Sequence, residues 1–180
     1  MRSNPTKVRT AIRRIVMCAA MVAMSIVLCR FLGVAPANSA FRIEIGFLPI
    51  AVVAILYGPI WAGAAYGASD LIGAAVTTGI NPFITLCKVL FGVLMGVAFK
   101  GKKRGLIFIT AFFVITGIVV DILCMSPIFV HYFGYTAEAA FTTRALTAAV
   151  NVPARIIVYY LTERTMGERI RKFAPKGSEK

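Results

Sequence analysis

The chain has 180 residues, of which 59% are hydrophobic, and its mean hydropathy is +0.82. Polar residues are too few to cover a water-facing globule of this size, so the composition excludes an ordinary soluble domain and predicts an integral membrane protein. The length allows one domain, and nothing that resembles a linker divides residues 1–180, which we treat as a single membrane domain.

The formal net charge of +13 would also fit a nucleic-acid-binding protein, but the positions of the charges argue against that class. Basic residues concentrate before the first apolar run, between residues 100 and 104, and after the last apolar run. Clusters that flank membrane spans are what the positive-inside rule predicts for cytoplasmic segments. We therefore expect no nucleic-acid partner, a lipid bilayer around the apolar runs, and both termini in the cytoplasm.

Hydropathy and charge together predict six transmembrane helices. Five apolar runs are visible, but the run from Ile45 to Ile80 exceeds the about 20 residues that cross a bilayer core of about 30 Å. Gly58 and Pro59 provide a break within it, and the fourth and sixth crossings then end at basic clusters. The predicted architecture is an all-α bundle with approximate spans at residues 13–32, 45–57, 60–78, 82–99, 106–128 and 143–163.

Two helix starts carry capping signals. Asn81 followed by Pro82 is an N-cap with proline at the first helical position, so we expect the fourth helix to begin there, at the outer face. Thr142 and Thr143 predict the start of the sixth helix, in which Pro153 should produce a kink or open a backbone position.

Small residues recur at helical spacing in the first and third spans. They are Ala19, Ala20, Ala23, Gly63, Ala64, Gly67 and Ala68. Such stripes let helix backbones approach one another closely. Spacing alone favours contacts within the bundle over contacts with another subunit, and it leaves both open.

Four ionisable residues lie well inside the predicted spans, where a charge is costly and usually pairs with another or lines a cavity. Counting about 1.5 Å per residue puts Lys88 and Asp121 about 8 to 9 Å inside the outer edge. The same count puts Asp70 and Arg155 about 12 to 15 Å from the cytoplasmic side. The matched depths predict two ion pairs, Lys88 with Asp121 and Asp70 with Arg155.

The outer half carries an excess of positive charge that favours an anionic ligand. The candidate ligand-binding cations are Arg30, Arg42, Lys88 and Arg144. The positive end of the fourth helix adds to this preference near Asn81 and Thr85, and Phe83 offers a face on which a flat ring could stack. For each residue the alternative is an interfacial anchor or an internal ion pair, so the prediction depends on the whole set.

No catalytic or metal-binding pattern accompanies these residues. The sequence holds no HExxH, GxSxG or paired-carboxylate arrangement, and its four cysteines have no CxxC or metal-ligand spacing. We therefore expect no enzymatic activity, no metal and no cofactor.

Segments from the first to the fourth predicted helix resemble a known family. They are IVLCRFL at residues 26–32, FRIEIGFLPI at 41–50, LYGP at 56–59, WAG at 61–63, ASDLIGA at 68–74 and PFITL at 82–86. These stretches are similar to the folate-family substrate-binding subunits (S components, FolT type) of energy-coupling factor (ECF) transporters. The resemblance extends from Ala19 to Gly96 and is weaker in the final third.

The resemblance implies a six-helix S-component fold with a pocket that opens to the outside under the loop after the first helix. It implies capture of a folate-like vitamin and ATP-driven uptake through the membrane coupling protein EcfT and two ECF ATPases. It also implies a location in a bacterial plasma membrane, and a docking stripe for EcfT at Ala19 and Ala23.

Two departures from the family pattern leave the substrate open. Residues 81–83 lack the glycine usual between proline and phenylalanine, and Lys88 is a charge not expected in that helix. One alternative is therefore an S component for a different vitamin or precursor. The other is a stand-alone secondary transporter or channel in which Asp70, Asp121, Lys88 and Arg155 form a charge relay.

Overall fold

The computed structural model describes residues 5–30, 45–77, 79–101 and 103–172, and these residues are helical with short connections and no strand. The helices are α1 (Pro5–Arg30), α2 (Phe47–Tyr57), α3 (Pro59–Thr77), α4 (Pro82–Phe99), α5 (Leu106–Phe133) and α6 (Ala137–Lys172). Within α5 a π-helical segment, Gly117–Cys124, separates two α-helical segments. The predicted all-α class is confirmed for the described chain.

Four of these helices contain a stretch long and apolar enough to cross a bilayer. The stretches are Val8–Cys29 in α1, Pro82–Phe99 in α4, Leu106–Phe133 in α5 and Ala137–Thr165 in α6. Helix α2 is apolar but has only 11 residues, and the glycines and Asp70 of α3 reduce its hydropathy. The chain is therefore a multi-pass membrane protein, and the count of six crossings stays a prediction.

The break between α2 and α3 lies at Gly58, as the sequence predicts. Gly58 has φ +87°, a left-handed conformation that favours glycine, and the side chain of Lys100 lies against it. The backbone N–H of Gly101 donates to the carbonyl of Ile55 at 3.2 Å. The C-terminal end of α4 is thereby attached to the α2–α3 turn.

The starts of α4 and α6 differ in how well the sequence predicts them. The Oδ1 of Asn81 accepts hydrogen bonds from the backbone N–H of Phe83 at 3.1 Å and of Ile84 at 3.4 Å, which confirms the predicted cap. Helix α6 begins earlier than predicted, at Ala137, because Thr136 caps it through a bond from the N–H of Ala139. Its 36 residues extend over about 54 Å, well beyond a bilayer core.

Helix α2 lies at the centre of the bundle. It packs against α1, α3, α4 and α6, and the side chains of Phe47, Ile50 and Val53 are almost completely buried. A helix that is apolar on every side belongs in such an interior position. The ring of Phe47 meets Phe113 of α5 edge-on, with centroids 5.8 Å apart.

Glycines bring α3 and α4 into close contact. A Cβ at Gly63 or at Gly67 would lie 2.6 Å from a valine methyl group of α4, and a Cβ at Gly92 would lie 2.7 Å from the carbonyl oxygen of Ala62. For Gly63 and Gly67 the predicted contact within the bundle is thus confirmed. The corresponding alanines of α1, Ala19, Ala20 and Ala23, are instead exposed on the surface of the described chain.

Candidate ligand site

The first two turns of α4 carry two of the predicted site residues, Thr85 and Lys88, on one side of the helix. Thr85 and Lys88, three positions apart, are both buried and both contact Asp70 of α3. The Oγ1 of Thr85 donates to Oδ2 of Asp70 at 2.8 Å, while the Nζ of Lys88 lies 3.3 Å from Oδ1. The two oxygens of one carboxylate are therefore engaged by one helix.

A second buried ion pair lies between α5 and α6. Nη1 of Arg155 donates to Oδ2 of Asp121 at 2.5 Å, and their side chains are 4% and 15% exposed. The predicted pairing of Asp70 with Arg155 is therefore wrong, because Asp70 contacts Lys88 and Thr85. The four charges do form ion pairs, and the described pairs join Lys88 to Asp70 and Arg155 to Asp121.

Aromatic rings lie beside both buried cations. The Nζ of Lys88 is 5.5 Å from the centroid of the Tyr66 ring, and the Cζ of Arg155 is 5.1 Å from that of Phe91. A ring face attracts a cation in a desolvated site. Each buried cation therefore contacts both a carboxylate and an aromatic ring.

The π-helical segment of α5 contains Asp121. A π-turn contains more residues than an α-turn, so the side chains that follow are rotated about the helix axis. Such segments are frequent at functional sites. The described contacts of Asp121 show the result here, since the carboxylate faces Arg155 on α6.

Aromatic side chains gather at the ends of α4 and α5 that the topology prediction places outside. Phe83 and Tyr132 have ring centroids 5.1 Å apart and are 45% and 57% exposed. Phe129 stacks on Phe133 at 5.0 Å, and the Cζ of Arg144 lies 3.7 Å from the Phe129 ring centroid. This group, which we call the outer aromatic cluster, presents flat ring faces beside a guanidinium.

The structure leaves part of the predicted site untested. Arg42 and the side chain of Arg30 lie outside the described residues. Asn81 caps the N-terminal end of α4, where Phe83, Thr85 and Lys88 lie, through its side-chain oxygen. No group of three or more His, Cys, Asp or Glu side chains stands together as a potential metal site within the described ranges.

Sequence reasoning missed several buried polar residues. Thr147 and Asn151 lie on the same face of α6 as Arg155 and are 8% and 3% exposed. Ser126 of α5 is completely buried, and its Oγ has no hydrogen-bond partner among the described residues. A polar side chain inside an apolar run is a signal that could have identified them. Thr147 and Asn151, with Arg155, give α6 a polar buried face.

The family of the chain follows from comparison with known proteins. The family model of the ECF transporter substrate-specific component matches residues 13–163. The chain therefore belongs to this family of S components, which are transporter subunits and not enzymes.

Individual relatives agree with this family. The chain is 29% identical over 143 residues to the folate transporter FolT of Clostridium novyi (strain NT), which covers 78% of this chain and 81% of that one. A crystal structure of FolT bound with folic acid matches 81% of this chain and 88% of its own, with a TM-score of 0.72 and 20% identity. A structure of ThiT from Listeria monocytogenes matches 89% of this chain and 98% of its own, with a TM-score of 0.61 and 18% identity. The last two show that the fold is shared.

Proposed function

We propose that this protein captures folate, or a related anionic vitamin, at the outer face of a bacterial plasma membrane for ATP-driven uptake. The observation that carries the proposal is the similarity of this chain, over 143 residues, to a protein named as a folate transporter. Folate joins a flat pteridine ring to a glutamate with two carboxylates. A site for it needs ring faces and cations close together, and the outer aromatic cluster offers both.

The residues of the site take different roles in this proposal. Phe83 and Tyr132 supply a stacking surface, because their rings are about half exposed. Arg144, with Arg30 at the end of α1 and Arg42 in the segment after it, is the proposed partner of the carboxylates. Lys88 and Thr85 hold Asp70, so we assign them to the wall of the pocket. Asn81 fixes the start of α4 beneath the ligand.

Ligand binding by the purified full-length chain tests this assignment. We expect folic acid to bind and to raise the apparent Tm, and thiamine to do neither. Arg144→Gln should weaken folic acid binding about 10- to 100-fold, since a hydrogen bond to a charged group is lost. It should leave pteroic acid, which lacks the glutamate, nearly unaffected.

A matched control for Arg144 is Arg104→Gln, which removes a guanidinium at the opposite end of the bundle, where Arg104 contacts Phe108 and the carbonyl of Ala98. Its affinity for folic acid should equal that of the unmodified protein. If folic acid gave no shift while another vitamin raised the Tm, the substrate would be that vitamin and the folate assignment would fall.

The proposed partners are EcfT and two ECF ATPases, with the chain crossing the membrane six times and both termini in the cytoplasm. The distribution of basic residues supports this orientation. Folate uptake into proteoliposomes should require all four proteins and ATP. Proton-driven uptake by the chain alone would instead favour the charge-relay alternative that the two buried ion pairs could serve.

A further inference from the structure

An apolar groove lies between α5 and α6, away from the ligand site. It has a volume of about 550 Å³. One wall is formed by Leu106, Thr110 and Val114, which recur every four residues along α5. The other wall includes Pro153, Ile157 and Leu161 of α6.

The length of the groove corresponds to one leaflet of a bilayer. From residue 106 to residue 114 a helix rises about 12 Å, whereas the hydrocarbon core is about 30 Å thick. The groove begins at the end of α5 that follows the basic segment 100–104 and stops near the middle of the span. A transmembrane helix of another protein would need a surface that continues across both leaflets.

Positive charge lies at one end of the groove. Arg164 follows Leu161 by three residues and Tyr160 by four, so it continues the lining stripe of α6 by one turn. It is exposed. Lys103, three residues before Leu106, pairs with Glu168 at 2.5 Å, and both side chains are mostly exposed.

These charges define the polarity of the site. The exposed Lys103–Glu168 pair is neutral and weak, which leaves Arg164 as the net positive charge of this group of three. The deep end, at Val114 and Val152, is apolar. A groove that is apolar along its length and cationic at one end matches an anionic amphiphile with one acyl chain along the wall.

We propose that the groove binds an anionic phospholipid, with an acyl chain between α5 and α6 and the phosphate at Arg164. The hydroxyl group of Tyr160, whose ring lines the same end, is a second donor to the headgroup. Lys103 can add a third when its exposed pair with Glu168 opens. The lipid would brace α5 against α6, the two helices that carry the Asp121–Arg155 pair.

Native mass spectrometry of the full-length protein, released from nanodiscs with equal amounts of phosphatidylglycerol and phosphatidylcholine, tests this proposal. We expect retained phosphatidylglycerol to exceed phosphatidylcholine. Arg164→Gln should reduce that preference about fivefold, the effect of one basic residue near an anionic surface. Thr110→Trp, which fills the groove, should reduce the retention of both lipids.

Two matched variants serve as controls. Arg9→Gln removes another exposed arginine, from α1, and Val76→Trp adds a ring to another exposed apolar position, on α3. Equal retention of the two lipids by the unmodified protein would overturn the proposal, as would an effect of Arg9→Gln equal to that of Arg164→Gln. Loss of the preference whenever a coupling protein is bound would assign the groove to a protein helix and would also overturn it.

Discussion

Lys88 and Asp70 face each other across the α3–α4 interface, with Nζ 3.3 Å from Oδ1. Thr85 donates to the other carboxylate oxygen, so three side chains from two helices form one buried polar group. Arg155 and Asp121 form a second such group between α5 and α6. Each buried acid therefore neutralises a buried base on a neighbouring helix, and the bundle tolerates all four charges.

The assignment of partners predicts the outcome of double-mutant cycles. Asp70→Asn or Lys88→Gln alone should lower the free energy of unfolding by about 3 to 5 kcal/mol, because each leaves one buried charge. The double mutant should recover part of this loss, with a coupling energy between about 0.5 and 3 kcal/mol. Equilibrium unfolding in mixed detergent micelles measures the free energies of unfolding of the unmodified protein, the two single mutants and the double mutant.

The same cycle with Asp70→Asn and Arg155→Gln is the control. Since Asp70 contacts Lys88 and Thr85, its coupling to Arg155 should be smaller than its coupling to Lys88. A larger coupling with Arg155 would show that the partners are assigned wrongly.

The sequence predicts the presence of these charges but not their pairing. A count of residues gives the depth of a Cα atom, whereas the rotation of the helix and the reach of the side chain decide which groups meet. Lys88 has a flexible four-carbon stem and spans the difference in depth to Asp70. The π-helical segment rotates Asp121 about the helix axis. The segment contains no proline, so nothing in the sequence indicates this irregularity.

Sequence signals for helix ends were correct at two places and wrong at a third. Asn81–Pro82 and Gly58 identify their helix ends because the capping bonds and the positive φ depend on a few adjacent residues. Thr136 caps α6 before Thr142 and Thr143 can, and several threonines in a row make such a start ambiguous. The site is harder to predict than the fold, because residues as distant as Phe83 and Tyr132 meet only after packing.

Close packing of α3 against α4 predicts a large cost for one methyl group. A Cβ at Gly96 would collide with the backbone of Pro59, which has no flexible side chain to move away. Gly96→Ala should therefore lower the free energy of unfolding by about 1 to 3 kcal/mol through overpacking.

Gly105→Ala is the matched control for Gly96→Ala. No heavy atom of the described residues lies within 4 Å of a Cβ at Gly105, and the φ of Gly105, −69°, suits alanine. Its effect on the unfolding free energy should stay below about 0.5 kcal/mol. Equal losses for the two variants would mean that the helices do not approach as closely as described.

The outer aromatic cluster predicts a loss of affinity without a loss of stability. Phe83→Leu keeps an apolar side chain but removes the stacking face, so folic acid should bind about 2 to 10 times more weakly, which corresponds to about 0.5 to 1.5 kcal/mol. The Tm of the free protein should change little, because Phe83 is 45% exposed. Isothermal titration calorimetry measures the affinity.

Phe108→Leu provides the control for Phe83→Leu, since Phe108 is comparably exposed at 38% but lies near Arg104 at the other end of the bundle. Its affinity for folic acid should not change. If Phe108→Leu weakened binding as much as Phe83→Leu, or if Phe83→Leu had no effect, stacking on the outer cluster would be excluded.

Exposure of Ala19 and Ala23 on α1 predicts that changes there affect assembly alone. Both positions lie on the surface of the described chain, four residues apart on one face. Ala19→Trp should leave folic acid affinity and Tm unchanged, because nothing within the bundle packs tightly on an exposed position. It should reduce the amount of EcfT that co-purifies, since a small residue permits close backbone approach and an indole ring prevents it.

Ala111→Trp separates this local effect from a general effect of bulk. Ala111 is an exposed alanine of α5, so the substitution adds the same ring to a different apolar face. Co-purification of EcfT with Ala111→Trp should match that of the unmodified protein. Retention of EcfT by Ala19→Trp would place the docking face elsewhere, and because ligand binding is measured on the same samples, the folate assignment would stand independently of that result.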